Sequence, residues 1–465
     1  MNIFPPIVAL SSGQPPSGVA LVRVSGEGCI KKILSCLSLK VDESNLKERY
    51  MYYTSFISPD SKEVIDDINV AFYLGPRSYT GEDSVEIFCH GGRYVIDTII
   101  DVIVRFLGIR LAVRGEFTKR AYLNGKIDLL TAESIKGLIE AVSYEGWLCA
   151  SNSSQSRLKE KIESMKQELI ESISLLEARI DFPEEESVNE EDLKIKESVT
   201  KVKSMIEDLI STFKSVQMLK EGLLVSIIGE PNSGKSTLTN TLLDKDRCIV
   251  SEIPGTTRDY VEDSCFIEGK LVRLIDTAGI RNNTEDIIEQ IGISRSIEKI
   301  QEADLILCLC SCEAPLSSYM NQCLEDIRSK QKPCIVLISK SDLEKKDKSI
   351  LTMSNSLSKH FKTISISCKD GTGINELKNE IVSFINKNTT DLKSRSFIFS
   401  LRHKQALRQA ISYLDSFFKD QGEGIYDECL AQDLMLATKS LESIIGNVEN
   451  SEILNKIFDS FCIGK

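Results

Sequence analysis

Apolar side chains recur at spacings of three and four along two stretches of this 465-residue chain. Leu158, Ile162, Met165, Leu169, Ile173, Leu176 and Ile180 form the first stripe, broken by Phe182-Pro183 and the acidic Glu184-Glu185-Glu186. Ile195, Val199, Val202, Ile206, Leu209, Phe213 and Val216 form the second. This near-heptad spacing predicts two long amphipathic helices. Both stripes need a partner, in a coiled-coil dimer or in a helical bundle within one chain.

The pattern differs on either side. Short apolar runs at 18–24 and 68–74, set off by Ser25-Gly26, Gly75-Pro76 and Gly91-Gly92, predict strands. Residues 1–121 therefore read as an α+β domain. Residues 122–220 are helical, 221–386 alternate strand and helix, and 387–465 are helical again. The expected architecture is an α/β domain inserted into an all-α helical domain, preceded by the α+β domain.

Composition adds limits. A hydrophobic content of 42% and a charged content of 27% describe an ordinary globular protein. No window approaches the roughly 18 apolar residues of a membrane span. Met1-Asn2-Ile3-Phe4-Pro5-Pro6 lacks a basic start followed by an apolar run, so no signal peptide and a cytoplasmic location are expected. The 14 cysteines are scattered. Cys308, Cys310 and Cys312 alternate along an apolar run and read as small buried hydrophobes. A net charge of −12 argues against nucleic-acid binding through overall charge. Two basic clusters, Arg114/Lys119/Arg120/Lys126 and Arg395/Arg402/His403/Lys404/Arg408, are either local nucleic-acid patches or solvated helix faces.

The chemistry is concentrated at Gly229-Glu230-Pro231-Asn232-Ser233-Gly234-Lys235-Ser236-Thr237, which fits the phosphate-cradling pattern G-x-x-x-x-G-K-[ST]. An apolar run at 223–228 precedes it and a helix-like stretch at 235–243 follows. Backbone N–H groups of such a loop wrap a polyphosphate. Lys235 reaches the terminal phosphates and Ser236 takes a Mg²⁺ position. Downstream, Ser251-Glu252-Ile253-Pro254-Gly255-Thr256-Thr257 offers a switch threonine, Thr257, for Mg²⁺ and the γ-phosphate. Asp276-Thr277-Ala278-Gly279 supplies a strand-end Asp and a glycine N–H for the same groups. In Ser339-Lys340-Ser341-Asp342, the carboxylate of Asp342 can accept from guanine N1–H and its 2-amino group, a pattern adenine lacks. Ser367-Cys368-Lys369 can cover guanine O6 with backbone N–H.

These five motifs, in this order, resemble those of the translation-factor-related GTPases across residues 222–386. One departure is Ser339, where the pattern usually has Asn. Another is Ile280, where Ras-type enzymes carry the water-orienting Gln. Glu285, Asp286 and Glu289 follow as acidic candidates.

Motifs outside this region narrow the resemblance. They are Tyr79-Thr80-Gly81-Glu82-Asp83, His90-Gly91-Gly92, Arg114-Gly115-Glu116-Phe117-Thr118-Lys119-Arg120-Ala121, Leu123-Asn124-Gly125-Lys126, Ile180-Asp181-Phe182-Pro183 and the terminal Phe461-Cys462-Ile463-Gly464-Lys465. Together they resemble the MnmE (TrmE) tRNA-modification GTPase family over essentially the full length. The resemblance implies an N-terminal folate-binding domain with Arg23, Glu86, Lys126 and Lys465 at the pocket. It implies K⁺ held by Asn232, Ser251, Ile253 and Thr256, and Glu289 as the water-orienting group. It also implies a homodimer, no membrane, and a flavoprotein partner of the MnmG (GidA) type. The pair would modify C5 of the wobble uridine of certain tRNAs with a one-carbon unit from a tetrahydrofolate derivative. A GTPase switch in RNA binding or ribosome assembly is the alternative. The segment Ser11-Ser12-Gly13-Gln14-Pro15-Pro16-Ser17-Gly18 departs from the family's glycine- and arginine-rich loop.

Overall fold

The computed structural model describes residues 4–39, 41, 43–181, 188–243, 262–276, 302–313, 315–343, 357–389, 396–423, 425–446 and 451–464. The chain divides into two compact units, one of residues 1–139, 159–202 and 405–465, the other of residues 140–158 and 203–404.

The first unit holds a sheet of β1 (Ile7–Leu10), β2 (Ser17–Ser25), β3 (Met51–Ile57), β4 (Val64–Tyr73), β5 (Ser84–Gly91) and β6 (Arg110–Leu111), in the order β3-β4-β5-β2-β1-β6. All neighbours are antiparallel except β1 and β6. β4 starts earlier than the apolar run at 68–74 predicts, because its polar first half is held by pairing with β3 through Ile57↔Val64. Side chains alternate between faces with period two. Ala20, Val22, Val24, Val85 and Ile87 turn to one face. There α1 (Cys29–Leu34) and α2 (Arg93–Leu107) close a core with Ile30, Ile33, Ile96, Ile99 and Ile103. Ile7 and Ala9 turn to the other face, where Phe117 of α3 (Glu116–Leu123) packs on them. Arg23 and Glu86, out of phase with the first core, share that second face.

The helices follow: α4 (Leu129–Glu140), α5 (Tyr144–Ala150), α6 (Asn152–Asp181) and α7 (Val188–Glu221). The stripes predicted from the sequence are the buried faces of α6 and α7, except that Ile180 is half-buried next to the end of α6. After the α/β segment come helices Leu401–Glu423, Asp427–Ile445 and Ser451–Asp459. Along the chain, an α/β segment is thus inserted between helical stretches. Among the described residues no helix is long and apolar enough to cross a membrane.

The second unit contains β7 (Leu223–Gly229), α8 (Lys235–Leu243), β8 (Glu262–Ile267), β9 (Lys270–Asp276), β10 (Leu305–Ser311), β11 (Cys334–Ser339) and β12 (Lys362–Ser365). Sheet order is β12-β11-β10-β7-β9-β8, parallel except for β8. Every residue of β10 from Leu305 to Cys310 is buried, as a parallel strand covered on both faces requires. Cys308, Cys310 and Cys312 are buried as predicted, and burial pushes the Cys310 thiol up to about 12. β7 lies between β9 and β10, so the chain reverses direction across the sheet there. Open α/β sheets bind ligands outside the carboxyl ends of strands at such a point.

Candidate nucleotide and folate sites

The phosphate loop leaves β7 at Gly229. A Cβ there would lie 2.7 Å from Ser233 Oγ and 2.8 Å from Leu309 O, so only glycine lets the loop close. Asn232 (φ +62°) and Gly234 (φ +99°) adopt left-handed backbone, a conformation Asn tolerates better than most residues. Such turns line up N–H groups into an anion-binding concavity. α8 starts at Lys235 and adds its N-terminal N–H groups. The Lys235 ammonium donates to Gly229 O (2.8 Å) and Glu230 O (2.7 Å), which holds it across the loop. Ser236 and Thr237 are exposed at the first turn of α8, where Ser236 can offer its hydroxyl to a cation.

Two contacts outside the motif brace this loop. Ser339, at the end of β11, donates its hydroxyl to Ser233 O over 2.7 Å. Glu230 accepts the Ser317 N–H at 3.1 Å, tying the loop to the N-cap of helix Ser318–Ser329. Sequence reasoning missed Glu230, because the contact spans 87 residues and leaves no local pattern.

The base-reading segments converge. Ser367 donates to Asp342 Oδ1 at 2.9 Å, and Ser341 N–H donates to Ile366 O at 3.1 Å. Asp342 is therefore aimed by the Ser367-Cys368-Lys369 segment. Lys340 has φ +61°, its carbonyl accepts from the Cys312 thiol at 3.0 Å, and its ammonium pairs with Glu313. Cys368 is half-buried and Lys369 exposed; burial pushes the Cys368 thiol up. Asp276 ends β9 in register with Ile227 of β7, beside the phosphate loop. Ser251, Glu252, Ile253, Pro254, Gly255, Thr256, Thr257, Thr277, Ala278, Gly279, Ile280, Glu285, Asp286 and Glu289 lie outside the described residues.

In the first unit, Arg23 and Glu86 stand directly opposite on β2 and β5. Arg23 donates from Nε (3.0 Å) and Nη2 (2.8 Å) to Glu86 Oε1, and the Tyr73 hydroxyl donates to Oε2 at 3.1 Å. The guanidinium lies 5.5 Å from the Tyr79 ring and 5.8 Å from the Phe117 ring. Such stacking holds a planar cation in place. Burial pushes the Tyr79 phenol up, and its hydroxyl is paired with Thr118 at 2.9 Å.

Lys126 reaches the same loop from its other side. Its ammonium donates to Pro76 O at 2.9 Å, its stem packs against Gly81, and Asn124 Nδ2 donates to Thr80 O at 2.9 Å. Arg120, with 2% of its side chain exposed, donates to both oxygens of Glu82, to Glu116 and to Pro5 O. Loop 74–83 thus joins the Arg23–Glu86 pair to Lys126. Tyr73 and Arg120 were not singled out as site residues from the sequence, since only strand register and helix docking bring them in. Lys465 lies outside the described residues.

Neither basic cluster forms an exposed patch. In the first, Arg120 is buried, Lys119 donates to Asn455 at 2.6 Å, and Arg114 is exposed. In the second, His403 is fully buried, Lys404 lies 4.4 Å from the Phe213 ring centroid, Arg408 is exposed, and Arg395 is outside the described residues.

Comparison with known proteins agrees with this layout. A family model of the MnmE helical domain matches residues 129–462, and one of the GTP-binding protein TrmE N-terminus matches residues 6–126. The tRNA modification GTPase MnmE of Thermoanaerobacter pseudethanolicus is 36% identical over 470 aligned residues, covering 100% of each chain. That of Alkaliphilus oremlandii is 35% identical over 469, also covering 100% of each. That of Bacillus cytotoxicus is 34% identical over 463, covering 99% of this chain and 100% of its own.

Proposed function

The chain belongs to the MnmE family of tRNA modification GTPases, and from that premise we propose that it couples GTP hydrolysis to modification of C5 of the wobble uridine in certain tRNAs. It is a GTP hydrolase. The proposed one-carbon source is a methylene-tetrahydrofolate, and the proposed assembly is a homodimer working with an MnmG-type flavoprotein. The observation that carries the proposal is loop 74–83. It gathers Arg23, Glu86 and Lys126 in a chain that also bears a braced phosphate loop.

In the GTPase unit, Lys235 and the loop N–H groups bind the β- and γ-phosphates, and Asp342 selects guanine. Ser236 and Thr257 would hold Mg²⁺, which neutralises charge between the phosphates. Asn232, with Ser251, Ile253 and Thr256, would hold K⁺, which supplies positive charge where other GTPases use an arginine finger. The exposed, left-handed Asn232 and exposed Ser236 fit these oxygen-donor roles. Glu289 is proposed to orient the attacking water.

At the other site, Arg23 and Lys126 suit the carboxylates of folate, and Glu86 suits donors on its ring system. When bound, the folate supplies the one-carbon unit. This chain's residues bind and orient it. Nucleoside analysis of tRNA from cells lacking the gene tests the proposal. Loss of the wobble uridine modification is expected, and unchanged modification would overturn it.

A further inference from the structure

The departing segment after β1 makes a long-range contact. Ser11 donates its N–H to Leu21 O at 2.7 Å and its hydroxyl to the carbonyl of Gly464 at 2.8 Å, across 453 residues of sequence. Ser12 Oγ accepts the Leu21 N–H at 3.1 Å and fixes the exit of β1 against β2. Gly464 has φ +91°, and a Cβ there would lie 2.0 Å from Leu10 O. The tail backbone therefore rests directly on the backbone at the end of β1.

Upstream, the tail is anchored differently. Phe458 and Phe461 are buried with Leu129 and Leu454. Gly115, with φ +63°, lets Phe458 O approach to 2.4 Å of where its Cβ would be, and its N–H donates to Cys462 O at 3.4 Å. Between these anchors and Gly464 the side chains of Cys462 and Ile463 are exposed. Apolar burial stops at Phe461, so the last described residue is held by backbone contact and by the Ser11 hydroxyl. Ala9 is the strand partner of Arg23 and Leu10 the partner of Val22. The Ser11–Gly464 bond thus lies two residues along β1 from the position opposite Arg23.

We propose that Ser11 is a positioning residue: by donating its hydroxyl to Gly464 it fixes the C-terminal tail beside Arg23, as one wall of the folate pocket. The role rests on reading the Arg23–Glu86–Lys126 group as that pocket. Chain ends fray unless tied down, and here the tie is one hydrogen bond.

The test compares the full chain with its Ser11→Ala and Ser11→Thr variants. Hydrogen–deuterium exchange of peptides covering 459–464 reads the tail, and titration with tetrahydrofolate reads the pocket. Ser11→Ala should speed exchange and weaken tetrahydrofolate binding, each by about five-fold, the worth of one net hydrogen bond. Ser11→Thr should restore both, and GTP hydrolysis without tRNA should be unchanged. Unaltered exchange in Ser11→Ala would overturn the tie. Faster exchange with unaltered affinity would overturn its positioning role. A wild-type chain that fails to bind tetrahydrofolate would sink the folate reading, while exchange would still decide whether Ser11 holds the tail.

Discussion

Ser339 donates its hydroxyl to the main-chain carbonyl of Ser233 over 2.7 Å, joining the base-reading end of β11 to the phosphate loop. Both residues are buried, with 4% and 1% of their surface exposed, so the bond is shielded from water. The residue that departs from the usual Asn therefore braces the loop itself. Ser339→Ala would leave the Ser233 carbonyl without this donor, at a cost of about 1–3 kcal/mol. GTP and GDP affinity should both fall roughly ten-fold, with guanine-over-adenine preference retained. Titration with fluorescent nucleotides checks this, and unchanged affinity would rule out the brace.

Asp342 should carry that preference. Ser367 holds one carboxylate oxygen, which aims the group before any base arrives. Asp342→Asn replaces an acceptor by a donor facing guanine N1–H and the 2-amino group. GTP binding should weaken roughly 10- to 100-fold, the worth of a charged hydrogen bond, and xanthine nucleotides should gain relative to guanine. Competition binding with both nucleotides is decisive; retained strict guanine selectivity would remove Asp342 from base reading.

The proposed K⁺ role of Asn232 makes a separate demand. GTP hydrolysis should run much faster in KCl than in NaCl at equal ionic strength, and Asn232→Ala should abolish the difference. Equal wild-type rates in the two salts would remove the assignment. Steady-state phosphate release in matched salts is enough to decide.

How far the sequence could be read depended on how local each feature was. The phosphate loop sits within one strand–loop–helix, so its motif alone placed Lys235 at the start of α8. The helix stripes were equally legible, because period is a property of one segment. The Arg23–Glu86 pair was not legible from spacing: it depends on the register of two strands 63 residues apart, and only the family resemblance pointed to it. Charge misled most. Arg120 and His403 stood in basic clusters, yet both are buried, since a run of charges does not say which side chain turns inward.

Arg120 should be among the costliest residues to remove. Its guanidinium holds Glu82 of loop 74–83 and Glu116 of its own helix from a nearly dry position. Arg120→Met strands both carboxylates, and breaking such a buried pair costs about 3–5 kcal/mol. Burial alone would raise the Glu116 carboxyl, but hydrogen bonds from Arg110, Val113 N–H and Arg120 lower it to about 2. Its folded pKa thus lies below its unfolded value, near 4.3. The stability it contributes is present above that unfolded value and is lost as pH falls toward 2. Hydrogen exchange of α3 peptides between pH 6 and about 3, corrected for intrinsic rates, should show protection declining in wild type. Glu116→Gln should start less protected and change less over the same range. A Glu116→Gln profile that falls as steeply as wild type would show that another group drives the acid response.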